Sequence, residues 1–143
     1  MNKYMMIALK EAKKSYQKGD VPVGAVIVKN DKIIAKAHNL KEKKKIASYH
    51  AEILVINKAC KKLNTWYLDD CVLYTTMEPC MMCCGAIQQS RIKKIVYATE
   101  NIKYGTTKQL NNVTLVEGIN KKESQKMLNN FFKNKRKDVS RET

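Results

Sequence analysis

Long apolar runs are missing from this 143-residue chain. The best of them, Val21 to Val28, is interrupted by Pro22 and Gly24 and falls far short of the ~20 residues that a membrane-spanning helix needs. No charged-then-apolar leader opens the sequence, so the expected location is the cytoplasm, without membrane association. Glycine (5) and proline (2) are scarce, and no Gly/Ser-rich stretch, composition break or internal repeat divides the chain. One domain over 1–143 is therefore expected, closing in a basic tail at 133–143. Acidic side chains are also few, 13 against 28 basic ones, which leaves a net charge of +15. Arginine supplies little of that charge: only Arg91, Arg136 and Arg141 are arginines, and the rest are lysines in a chain rich in Asn and Ile. That bias is what an A/T-rich coding sequence produces, so the charge admits a phosphate-bearing partner without requiring one.

What is present is a globular composition, 44% hydrophobic and 29% charged, which excludes disorder as the dominant state. The cysteines (Cys60, Cys71, Cys80, Cys83 and Cys84) are odd in number, and three fall within five positions. A disulfide framework does not fit that pattern; a metal site or reactive thiol in a reducing compartment does.

Hydrophobic spacing gives the elements. Met5, Leu9, Ala12 and Tyr16 recur at helical intervals, and Gly19 stands where that helix would end. Val23 to Val28 and Ile33 to Ala37 read as strands of a hairpin turned at Asn30-Asp31-Lys32. Lys41 to Lys45 reads as a charged loop, and Ile53 to Leu63 as a helix entered at His50 and Ala51. After a strand at Val72 to Met77, Pro79 is expected as the first residue of a helix running from Cys80 to Gln89. Short strands follow at Ile95 to Ala98 and Val113 to Val116, and a helix from Lys121 carries Met127, Leu128, Phe131 and Phe132 into the basic tail. Strand and helix periods alternate, which predicts an α/β layered domain, and the hairpin makes its single sheet a mixed one.

Two short motifs carry chemistry: His50-Ala51-Glu52, and Pro79-Cys80-Met81-Met82-Cys83 thirty positions on. Each alone is weak, but both fall at the start of an expected helix. Residues three apart share a helix face, so Cys80 and Cys83 can grip one ion, and a helix N-terminus favours the thiolate that a metal requires. His50 adds a third ligand suited to zinc. Three protein ligands leave a tetrahedral ion one open corner, the mark of a catalytic site. Glu52 is near enough to take a proton from a water held there. Spacing does not choose between Cys83 and Cys84, nor does it exclude a closed site of His50, Cys80, Cys83 and Cys84. Cys60 and Cys71 read as small buried hydrophobes, and His38 as a structural or surface residue.

The combination resembles the zinc deaminase signature of the cytidine deaminase superfamily. Val21-Pro22-Val23-Gly24-Ala25-Val26, Leu73-Tyr74-Thr75-Thr76-Met77-Glu78-Pro79-Cys80, Gly85-Ala86-Ile87, Ser90-Arg91-Ile92 and Phe131-Phe132-Lys133 narrow it to a likeness with the bacterial tRNA-specific adenosine deaminases, from about Met5 to about Lys137. The resemblance implies a three-layer α/β/α sandwich, one zinc per subunit, a homodimer, and adenosine-to-inosine conversion at the wobble position of a tRNA anticodon. It also implies His50, Cys80 and Cys83 as ligands, which selects Cys83 over Cys84, and Glu52 as proton shuttle. Substrate contacts are implied at Asn39, Val21 and Ala51, and nucleic-acid contacts at Lys103, Phe132, Lys133 and Arg136. Asn101 departs from the aspartate of bacterial members, and the stretch between Gly105 and Val116 is shorter than usual by about one loop.

On this reading zinc-bound hydroxide attacks C6 of an unstacked adenine while Glu52 carries the proton to N1 and then to the departing amine. Two other readings share the motif: a deaminase of a free base or nucleoside such as guanine or cytosine, and a non-catalytic zinc-stabilised RNA-binding module.

Overall fold

In the computed structural model, backbone is described for residues 2–142 and side chains for residues 2–135. Five strands form one sheet: β1 (Gly24–Lys29), β2 (Lys32–His38), β3 (Cys71–Met77), β4 (Lys94–Thr99) and β5 (Thr114–Glu117), in the order β2-β1-β3-β4-β5. β1 runs antiparallel to β2 and β3, whereas β3, β4 and β5 are mutually parallel, so the sheet is mixed as expected. The hairpin turns at Asn30 and Asp31, both at positive φ (50° and 61°), as a two-residue turn compatible with strand twist demands.

Two-residue alternation along the strands builds a core on each face. Ala25, Ile27, Leu73, Ile95 and Tyr97 point to α3 (Ala51–Leu63) and α4 (Met81–Gln89), where Val55, Ala59 and Ile87 meet them. Val26, Val28, Val96 and Ala98 point the other way, to α1 (Lys3–Gln17) and α5 (Lys121–Glu142), meeting Met5, Ala8, Leu9 and Met127. The result is the expected three-layer sandwich. α1 lies so close to β1 that a Cβ on Gly24 would stand 1.9 Å from the Ala8 carbonyl oxygen, which fixes glycine there. Gly19 takes φ 77° just beyond α1, as its sequence position predicts. Cys71 is buried and Cys60 packs at the edge of the same core. No helix among the described residues is long and apolar enough to cross a membrane.

Two local expectations are corrected. Lys41–Lys44 is not loop but a one-turn helix, α2, because the carboxylate of buried Asp20 accepts from the N–H groups of Glu42 (2.9 Å) and Lys43 (3.0 Å). Its cap comes from twenty residues upstream, where local sequence gives no hint. Pro79 is not the first helical residue either: Cys80 is the N-cap of α4, which begins at Met81. Cys80 instead pairs as an isolated bridge with Gly105, and that holds it extended.

His38 is structural. Its Nδ1 stands 3.0 Å from Glu11 Oε1 and its Nε2 3.0 Å from Lys18 Nζ. Burial pushes the Glu11 carboxyl up, but His38 and Lys14 outweigh it and hold the group below the usual carboxylate range. A depressed carboxylate contributes stability above its unfolded pKa of ~4.3, lost as pH falls through the folded value. Glu11→Gln should therefore cost about 1–3 kcal/mol at neutral pH. In urea unfolding the gap to the parent protein should close on acidification below ~pH 4; a gap unchanged between neutral and acid pH would contradict this role.

Candidate metal and catalytic site

Two helices aim their N-termini at one point beyond the C-terminal end of β3. His50 is the N-cap of α3 and Cys80 the N-cap of α4, and neither side chain caps its own helix. Both turn instead toward each other and toward Cys83, one turn into α4. The His50 Nδ1, Cys80 Sγ and Cys83 Sγ atoms all lie within 4.8 Å of one another. The separations are 3.7 Å between the sulfurs, and 3.6 and 3.5 Å from Nδ1 to Cys80 and Cys83. An ideal tetrahedral zinc, with bonds of about 2.3 Å to sulfur and about 2.0–2.1 Å to nitrogen, spaces its ligands about 3.8 Å (S···S) and about 3.5 Å (S···N) apart. The three donors already stand at the edges of a zinc tetrahedron.

Cys84 does not join them. Its buried Sγ faces the Pro79 carbonyl oxygen at 3.6 Å, away from the cluster, and burial pushes its thiol up. The hydrogen bond between the Cys80 and Cys83 sulfurs holds the Cys80 thiol down to about 3, with His50 helping; the same bond and burial raise Cys83. The contact with Cys80 raises His50 despite its burial.

Glu52, in the first turn of α3, is 4% exposed, and burial raises its carboxyl above the usual range. It lines one cavity of about 370 Å³ together with His50, Cys80, Val21 and Asn39. Asn39 Oδ1 accepts from the Ala51 N–H at 2.7 Å, which fixes the amide's orientation and leaves its NH₂ as the donor. Ala51 itself is fully buried in the core and does not line the cavity; its N–H orients Asn39. Lys103 and Phe132 reach the cavity wall, whereas Lys133 is exposed on α5 without lining it. The side chain of Arg136 lies outside the described residues.

Sequence reasoning gave no role to Lys41, Met77, Glu78 or Tyr104, which also line the cavity. Glu78, directly before Pro79-Cys80, carried the available signal: a charged residue between the strand and the metal motif.

The geometry separates the two adjacent cysteines. Cys83→Ala should abolish stoichiometric zinc binding by the purified protein, while Cys84→Ala keeps it, as measured by elemental analysis. Equal zinc loss in both variants would contradict the three-donor set.

Comparison with known proteins agrees with this site. A family model described as MafB19-like deaminase matches residues 1–136. The tRNA-specific adenosine deaminase of Bacillus subtilis (strain 168) is 45% identical, over 94% of this chain and 89% of that protein. A solved structure from a study of A-to-I editing by tRNA:A34 deaminases at the wobble position superposes with TM-score 0.82 at 32% identity, covering 87% of this chain and 98% of that one. The guanine deaminase of Bacillus subtilis superposes less fully, with TM-score 0.66 at 42% identity, over 71% of this chain and 67% of the other. The chain belongs to the MafB19-like deaminases and, among them, to the tRNA-specific adenosine deaminases.

Proposed function

We propose that this protein hydrolyses the adenosine at the wobble position of a tRNA anticodon to inosine, with one zinc ion per chain held by His50, Cys80 and Cys83. The observation that carries the reading is that three donors stand at zinc-tetrahedron spacing, two of them, His50 and Cys80, in the wall of a cavity also lined by the buried Glu52 carboxylate. When bound, zinc supplies the Lewis acidity that makes water a nucleophile at neutral pH.

The remaining work belongs to side chains of this chain. Glu52 accepts the water proton as the oxygen adds to C6, and delivers it to N1 of the purine. It then assists protonation of the leaving amine, so that adenosine and water become inosine and ammonia. A carboxyl raised by burial is a better base for the first transfer, and a pKa moved toward the working pH still lets it serve as the acid in the second. The Asn39 NH₂ holds the base and Val21 packs against it. A base in an anticodon loop is unpaired, so swinging it into the cavity costs little compared with opening a duplex.

The +15 net charge and the lysines at the cavity wall, Lys41 and Lys103, favour a polyanionic substrate over a free base. The structural likeness to guanine deaminase keeps a free-base substrate as the second reading. A cytoplasmic homodimer belongs to the proposal through the family resemblance.

Incubation with a tRNA pool followed by cDNA sequencing should show A read as G at a wobble position. Ammonia release from guanine, with none from an anticodon stem-loop, would favour the second reading. Glu52→Ala should lower turnover about 10²- to 10⁴-fold while zinc content and RNA affinity stay near those of the parent. Retained turnover in that variant would contradict the shuttle role.

A further inference from the structure

The loop after β4 lines the cavity with Asn101, Lys103 and Tyr104 and presents three consecutive exposed side chains, Ile102, Lys103 and Tyr104, of which Tyr104 is 60% exposed. It is nonetheless firmly held. The buried Glu78 carboxylate accepts from the N–H groups of Asn101 (3.1 Å) and Thr107 (3.4 Å) and from the Thr107 hydroxyl. Asn101 Oδ1 accepts from the Tyr104 N–H (3.1 Å), and its carbonyl oxygen from the Gly105 N–H (2.8 Å). Gly105 is bridged to Cys80, and a Cβ there would stand 2.5 Å from the Glu78 carboxyl carbon. Tyr104 thus sits between two anchored neighbours that keep its backbone fixed while its ring stays in solvent at the cavity wall.

A rigid loop that holds an aromatic ring in water offers its face to something. Lys103 Nζ lies 5.3 Å from the ring centroid, so a cation adjoins that face. Phe132, 42% exposed on α5, lines the same cavity. An aromatic face beside a lysine is the pairing that receives an unpaired base and its phosphate. The cavity admits the target base, and a base next to it in the strand must leave the mouth within reach of these rings.

We infer that Tyr104, fixed at the mouth by the loop clasped on Glu78, is a stacking platform for an unpaired base neighbouring the target nucleotide. This rests on the RNA substrate proposed above and names the residue that reads its strand.

The experiment uses an anticodon stem-loop carrying 2-aminopurine on either side of the target adenosine, titrated with the zinc-loaded protein. One of the two reporters should be quenched on binding to the parent protein and to Tyr104→Phe, and stay bright with Tyr104→Ala. Loss of one stacked base should raise KM for the stem-loop about 5- to 100-fold in Tyr104→Ala with kcat little changed, and Tyr104→Phe should restore it. Because Tyr104 is exposed, neither variant disturbs the core. Unchanged quenching and KM in Tyr104→Ala would overturn the platform. The reporter reads binding alone, so quenching by Tyr104 on a stem-loop that is never deaminated would support the platform while refuting the proposed reaction.

Discussion

Two helix N-termini of like partial charge face each other at the end of β3, and the chain must place negative charge between them. N-cap positions are ordinarily filled by Ser, Thr, Asp or Asn, which quiet the free N–H groups. Here they hold His50 and Cys80, whose side chains leave their own helices uncapped and meet across the gap. Hydrogen bonds with Cys83 and His50 hold the Cys80 thiol down, which favours negative charge at this junction. A zinc ion held by His50, Cys80 and Cys83 would let both sulfurs carry charge.

The sheet supplies its rigidity. β3 is central, paired with β1 on one side and β4 on the other, and packed on both faces. Its C-terminal end delivers Glu78, Pro79 and Cys80 in succession, so one strand end positions a ligand and, through Glu78, the loop that borders the substrate cavity. α3 meets the same place by a different route: Asn39, beyond the end of β2, accepts from the Ala51 N–H and ties the start of α3 to the hairpin. Cys80, His50, Glu52 and Asn39 are therefore fixed relative to one another by main-chain contacts, the preorganisation that the proposed reaction requires.

Much of this was legible in the sequence because it is local. The β-branched, apolar run Val23 to Val28 announces a strand, Asn30-Asp31-Lys32 announces its turn, and Gly19 the end of α1. The three-residue step from Cys80 to Cys83 carries the metal reading. Spacing alone left Cys83 and Cys84 equivalent, since both lie about one turn from Cys80; only the direction of α4 relative to His50 separates them. What could not be read is non-local. Asp20 caps α2 across twenty residues, Cys80 is drawn out of α4 by Gly105, and Glu78 gains its meaning from a loop that returns from β4. Ala51, beside His50 in sequence, is buried in the core, and its N–H donates to Asn39.

Zinc K-edge X-ray absorption on the purified protein tests the three-ligand, open-cornered site most directly. The account predicts two sulfur scatterers at about 2.3 Å, one imidazole, and one further light atom from solvent at about 2.0 Å. Three or more sulfurs around the ion, or no tightly held zinc at all, would contradict it.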